Sequence, residues 1–199
     1  MALNIKNLSY EYDNKKIFEN LSYVFEKKVT LIRGQSGCGK STFLRLIAGQ
    51  LKIQTGEIVF LQNAVENKKL KIGYMHQECH LIDHWSIEEN FLLVSSDKKL
   101  FSDLMHKLGL NMNLNTLVLK LSGGEKQRMS LIRVVLQNPD VILLDEPTAH
   151  LDDLHTAHIL QLISSHLKNK IVLIVSHDKR VSEFADEVFD WQKPTAYAI

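Results

Sequence analysis

The chain has 199 residues, 45% of them hydrophobic, which is enough for one α/β domain with a sizeable core. Lys and Arg number 24 against 23 Asp and Glu, a net charge of +1. That near-neutrality argues against a protein built to wrap nucleic acid, which takes a strongly basic face, so no nucleic-acid partner is expected. No apolar run approaches the roughly 18 residues of a membrane span. The opening MALNIKNLSY lacks the apolar stretch of a signal peptide, and the expected location is the cytoplasm. Two cysteines, Cys38 and Cys79, fit a reducing compartment and no disulfide framework.

Residues 3–8 alternate apolar and polar and predict a strand; residues 21–25 predict a second. Residues 29–32 form a short apolar strand that runs into a Gly-rich loop. Phe43, Leu44, Leu46 and Ile47 then fall at helical spacing over 41–48, with Gly49 as a stop. Residues 56–61 and 72–75 predict further strands, and from 78 to 138 helical patterns replace them. After Pro139 come two apolar β-rich runs, 141–144 and 171–175, separated by a helix over 153–168. Strands alternating with helices imply a mainly parallel sheet. With no repeats, no low-complexity segment and three prolines, residues 1–199 read as a single domain. Its core is 1–77 with 138–199, and the helical stretch 78–137 is an insertion on one side.

Gly34-Gln35-Ser36-Gly37-Cys38-Gly39-Lys40-Ser41 fits GxxxxGK[ST] between a predicted strand and a predicted helix, and Thr42 continues it. The glycines let backbone N–H groups turn inward around phosphates, and the helix start adds a positive dipole end. Lys40 is placed for the β- and γ-phosphates of ATP and Ser41 for Mg²⁺. The strand 141–144 delivers two carboxylates at its end: Asp145, a natural Mg²⁺ partner, and Glu146, placed to orient or deprotonate an attacking water. Other acid pairs, Glu88-Glu89 and Asp152-Asp153, read as solvated helix ends. Between loop and acids lies Leu121-Ser122-Gly123-Gly124-Glu125, opening a helical run and offering a second set of free amides for an anion.

The Gly34–Ser41 loop, LSGGE at 121–125 and the strand ending in Asp145-Glu146, in that order, resemble the ATP-binding cassette (ABC) family over nearly the whole chain. The resemblance implies an α/β fold: a RecA-like P-loop NTPase core, an N-terminal antiparallel β subdomain and the inserted helical subdomain carrying LSGGE. It implies that Gln77 senses Mg²⁺ and the attacking water and that His177 contacts the γ-phosphate. An aromatic at the N-terminus stacks on adenine; Tyr12 matches that place, with Tyr10 as the alternative. It implies head-to-tail pairing with a second cassette, in which Ser122, Gly123, Gly124 and Glu125 of one subunit cap the ATP held by the other, and Asp152 lies in the subunit-contact segment. The implied activity is ATP hydrolysis driving a clamp that closes on ATP and reopens afterwards.

Ala149-His150-Leu151-Asp152 departs from the family's usual Ser-Ala-Leu-Asp, and His150 in a dimer seam predicts mildly pH-sensitive pairing. His76, Cys79, His80 and His84 have spacings that suggest zinc, but a structural metal there would stiffen the segment around Gln77, which the cycle must move. His155 and His158 share a helical face and read as exposed. Cys38 lies inside the phosphate loop, so alkylating it is expected to block nucleotide entry.

Leu81, Ile82 and Trp85 make the segment after Gln77 unusually apolar for a loop. In the transporters that this chain resembles, this region receives a cytoplasmic helix of the membrane permease; the alternative is a small core of the insertion's own. The expected role is an ATPase subunit on the cytoplasmic face of the cell membrane, paired with a separate permease. Segments 73–90 and 121–148 look most similar to cassettes of lipoprotein-release and macrolide- or peptide-export systems, and no long regulatory C-terminal extension is seen. Export is the direction expected. A non-transport cassette serving a soluble or cell-division complex is the alternative.

Overall fold

In the computed structural model, residues 2–26, 28–62, 65–66, 70–167 and 169–191 are described. The sheet elements fall into two groups. Strands β1 (Ala2–Tyr12), β2 (Lys15–Phe25), β4 (Thr55–Gln62) and β5 (Val65–Glu66) form an antiparallel sheet in the order β2-β1-β4-β5. Strands β6 (Ile72–Met75), β7 (Val141–Asp145), β8 (Ile171–Val175), β3 (Val29–Arg33) and β9 (Glu187–Asp190) form a parallel sheet in that order.

The N-terminal strands are longer than their alternation predicts. β1 and β2 join through Asp13 and Asn14, both at positive φ (49° and 61°), the backbone of a two-residue hairpin whose twist suits the flanking strands. Irregularities in register near Asn7 (φ 48°) and Asn20 (φ 51°) break the period of two, which hid residues 15–20 from the sequence reading.

The central parallel strands β7, β8 and β3 are buried on both faces, and their alternation sorts their side chains between two cores. Val141, Leu143, Ile171 and Leu173 point into a core shared with the antiparallel sheet, where Leu3, Ile5 and Phe25 meet Phe43 and Leu44 of helix α1 (Lys40–Ile47). Ile142, Leu144, Val172 and Ile174 point into the other core. There they meet helices α4 (Gly123–Leu136) and α5 (Asp153–His166). Lys168, the expected end of α5, lies outside the described residues.

Between β6 and β7 the chain is helical, as expected: α2 (Ile87–Leu92), α3 (Lys98–Lys107), a 3-10 turn (Val118–Lys120) and α4. Phe91 and Phe101 stack at 4.2 Å and 5° to join α2 to α3. Ser86 and Glu89 form a reciprocal cap at the start of α2. Three elements escaped the sequence reading: the two-residue β5, α6 (Lys179–Phe184) and β9. β9 has only four residues, two of them acidic, and shows little hydrophobic pattern of its own.

Candidate functional site

β3 delivers the Gly-rich loop and α1 begins at Lys40, with Gly39 at φ +105° as the residue before the helix. A Cβ at Gly39 would lie 2.3 Å from Ile17 Cγ2, so only glycine lets the loop pass this close to β2. Lys40 is 5% exposed, and its ammonium donates to the carbonyls of Gly34 and Gln35, both at 2.8 Å. The loop is also tied to the sheet's far edge: Trp191 Nε1 donates to the Cys38 carbonyl at 2.7 Å.

A cleft of about 410 Å³ opens above this loop. Ser36, Gly37, Gly39, Lys40, Ser41, Thr42, Gln77, Asp145, Glu146 and His177 all line it. One loop, the ends of three parallel strands and the start of α1 thus converge, at the C-terminal edge where open α/β sheets hold ligands. Asp145 is 2% exposed and burial pushes its carboxyl pKa up, opposed by hydrogen bonds from Ser41 and Tyr74. Burial likewise raises the pKa of Glu146, with His177 opposing. The Glu146 carboxylate accepts from the His177 backbone N–H at 3.4 Å, and its other oxygen lies 3.8 Å from His177 Nε2. Glu146 also carries a positive φ of 53°, fixed by its N–H donating to the Val175 carbonyl at 2.8 Å.

The remaining predicted site residues lie outside the cleft lining. Tyr12 sits at the β1–β2 hairpin and is 64% exposed, whereas Tyr10 is 9% exposed and stacks on Phe18. Ser122, Gly123, Gly124 and Glu125 open α4, where Ser122 Oγ accepts from the Glu125 N–H and the Glu125 carboxylate accepts from the Ser122 N–H. This helix start faces the segment Leu151-Asp152: a Cβ on Gly124 would meet Leu151 Cδ2 at 2.9 Å. Asp152 caps α5 through the His155 N–H, which holds its carboxyl below the usual range.

One reading changes. His155 and His158 are half-buried, not exposed, because His155 Nδ1 pairs with Asp152 Oδ1 at 2.7 Å and the His158 ring packs beside Gly109. The rings of His76 and His80 lie 4.3 Å apart, tilted at 39°, and the Cys79 thiol donates to Gln127 Oε1 at 3.3 Å. Among the described residues no three His, Cys, Asp or Glu gather as a metal site. Leu81 packs onto the helical core, while Ile82 (37%) and Trp85 (40%) are exposed, as are Leu92, Leu93 and Leu119 elsewhere on the helical segment.

The sequence reading missed Ile17 in the cleft wall, Tyr74 beside Asp145 and Gln127 beneath Glu146. Gln127 left a readable signal, since it falls on the α4 face of Leu131 and Val134 at i, i+4 and i+7, a polar residue in a core row.

The family model "ABC transporter" matches residues 18–149. A protein of Staphylococcus haemolyticus named as hemin import ATP-binding protein HrtA is 31% identical, covering 96% of this chain and 97% of that protein. A protein of the same name from Staphylococcus aureus is 29% identical over 94% of this chain and 93% of that one. Among solved structures, the ATP-binding cassette MJ0796, a dimer bound to ADP and Pi, superposes with a TM-score of 0.80 at 26% identity, covering 94% of this chain and 93% of that one. No helix among the described residues is long and apolar enough to cross a membrane. The chain belongs to the ABC transporter family, as an ATP-binding subunit whose ATP hydrolysis is coupled to transport.

Proposed function

We propose that this chain hydrolyses MgATP within a head-to-tail pair of cassettes on the cytoplasmic face of the membrane, driving a separate permease that moves cargo outward. The observation that carries the ATPase part is the convergence of Lys40, Ser41, Gln77, Asp145, Glu146 and His177 on one cleft while Ser122–Gly124 stands outside it. A helix start that its own chain's cleft leaves unused is what a partner's ATP would need.

In this reading Lys40 exchanges the Gly34 and Gln35 carbonyls for β- and γ-phosphate oxygens, and the loop amides of 34–42 bind the remaining phosphate charge. Ser41 and Asp145, already hydrogen-bonded to one another, would hold Mg²⁺ together with Gln77. The metal's contribution is to neutralise charge on the phosphate oxygens. Glu146 orients and deprotonates water, and His177 contacts the γ-phosphate. Tyr12 stacks on adenine: its exposure supports it over Tyr10, whose ring is taken up by Phe18. Residues 78–137 serve as the moving helical subdomain, and Ile82 and Trp85 meet the permease, with Leu81 buttressing them from beneath.

Export rests on the likeness of segments 73–90 and 121–148 to export cassettes. The relatives named for hemin import favour the opposite direction and make hemin the first cargo to assay. The test is a pull-down from detergent-solubilised membranes with Glu146→Gln as bait and ATP present. Recovery of a multi-span membrane protein supports the reading and supplies the permease for vesicle transport. Recovery of soluble partners alone overturns it, and inward movement of cargo in vesicles overturns export.

A further inference from the structure

The polar side chain of Gln127 is 6% exposed, and both ends of its amide are engaged. Nε2 donates to the Glu146 carbonyl at 2.6 Å, and Oε1 accepts from the Cys79 thiol at 3.3 Å. The Glu146 carbonyl also accepts from the Ala149 N–H at 3.2 Å, a bond local to its turn. Among the described residues, the Gln127 bond is the one that reaches it from another element. On the same face of α4, Ser130 Oγ and Arg133 donate to the Cys79 carbonyl, at 3.2 and 3.3 Å, and Arg133 donates to the His80 carbonyl at 2.7 Å. One helix therefore grips the segment two residues beyond Gln77 and the backbone of Glu146.

Glu146 has particular need of such a hold. Its φ of 53° lies where a non-glycine residue is strained, and the following Pro147 would steer it towards extended backbone. Such a conformation persists only where surrounding bonds over-determine it. Its N–H is fixed by Val175 and its carbonyl by Ala149 and Gln127, so the direction of its side chain depends on the peptide plane that Gln127 helps to set.

We propose that Gln127 is the positioning residue of Glu146: its amide, oriented by the Cys79 thiol, fixes the Glu146 peptide so that the carboxylate points at the attacking water. Because α4 begins at the partner-facing Ser122–Gly124, the same residue ties the placement of that carboxylate to the position of this helix. The inference rests on the assignment of Glu146 given above.

The test compares Gln127→Met, which keeps the shape and loses the donor, with Gln127→Leu, which loses the donor in a shorter apolar side chain. Steady-state ATPase activity, nucleotide affinity and thermal melting are measured on the full chain, with Glu146→Gln alongside. Expected is a fall in kcat of about tenfold or more in both variants, with the KM for ATP within about twofold and a cooperative melt retained. Cys79→Ser, which still donates, is expected to keep most of the activity, and Cys79→Ala to lose part of it. Wild-type kcat in Gln127→Met, or a rise in KM with kcat unchanged, overturns the inference while Glu146→Gln remains inactive. Full activity in Glu146→Gln would instead overturn the assignment of Glu146 itself.

Discussion

Asn90 is 1% exposed in α2, and its side chain holds the turn that carries Ile82 and Trp85. Oδ1 accepts from the Ile82 N–H at 2.8 Å, while Nδ2 donates to the carbonyls of Ile82 and Ser86 at 3.1 and 3.0 Å. Asn90→Ala deletes all three bonds and leaves the Ile82 N–H to find water, while the carbonyls of Ile82 and Ser86 keep the backbone N–H groups of Trp85 and Asn90. At about 0.5–1.5 kcal/mol net for each bond, the loss should be roughly 2–4 kcal/mol. For a domain of this length that corresponds to a fall in Tm of roughly 4–16 °C. The assay is thermal unfolding followed by circular dichroism, with hydrogen exchange at the Ile82 amide as the local readout. The cleft is built by other elements, so ATP affinity below the melting range should stay near wild type, while stimulation of ATPase activity by the permease should fall. A Tm within about 1 °C of wild type, or unchanged protection at Ile82, would refute the reasoning that the side chain fastens this turn.

Glu146→Gln should lower ATP turnover by about 10²-fold or more while leaving ATP bound, measured by single-turnover phosphate release. The same variant should melt higher than wild type at pH 7. Burial raises the folded-state pKa of Glu146 above its ordinary value, so the charged carboxylate weakens folding at neutral pH, and this difference should close as the pH falls below about 4.5. Gly39→Ala should abolish tight nucleotide binding, through its φ of +105° and the 2.3 Å approach to Ile17; isothermal calorimetry showing wild-type affinity would count against the packing described. Gly124→Ala should weaken ATP-dependent dimerisation by pressing on Leu151 at 2.9 Å, and Leu151→Ala should partly restore it, a coupling that analytical ultracentrifugation of both single variants and the double variant would measure.

Much of the site was legible because its chemistry lies in contiguous runs. The strand, loop and helix around Gly34–Ser41 and the strand before Asp145 follow from hydrophobic pattern and glycine placement, and both fall within a residue or two of expectation. What escaped depends on tertiary contacts. β9 is a strand because β3 offers it a partner, not because its four residues demand one. The positive φ of Glu146 contradicts the local preference before proline, and the bonds that maintain it come from residues 127, 149 and 175. The half-burial of His155 likewise comes from its bond to the Asp152 cap, which helical spacing alone does not reveal.

The placement of β3 bears on how the protein is made. This strand, which feeds the phosphate loop, leaves the ribosome long before its neighbours in the sheet, residues 172–175 of β8 and 187–190 of β9. Until translation reaches them, β3 has no sheet partner, and Trp191 is not there to fasten the loop through Cys38. The long separation between partners makes sheet closure a late event in folding. A nascent chain should therefore be unable to bind ATP until residue 191 has emerged. Stalled at residue 170, it should expose the apolar faces of β3 and β7 to chaperones; released after residue 191, it should close the sheet and the nucleotide loop together.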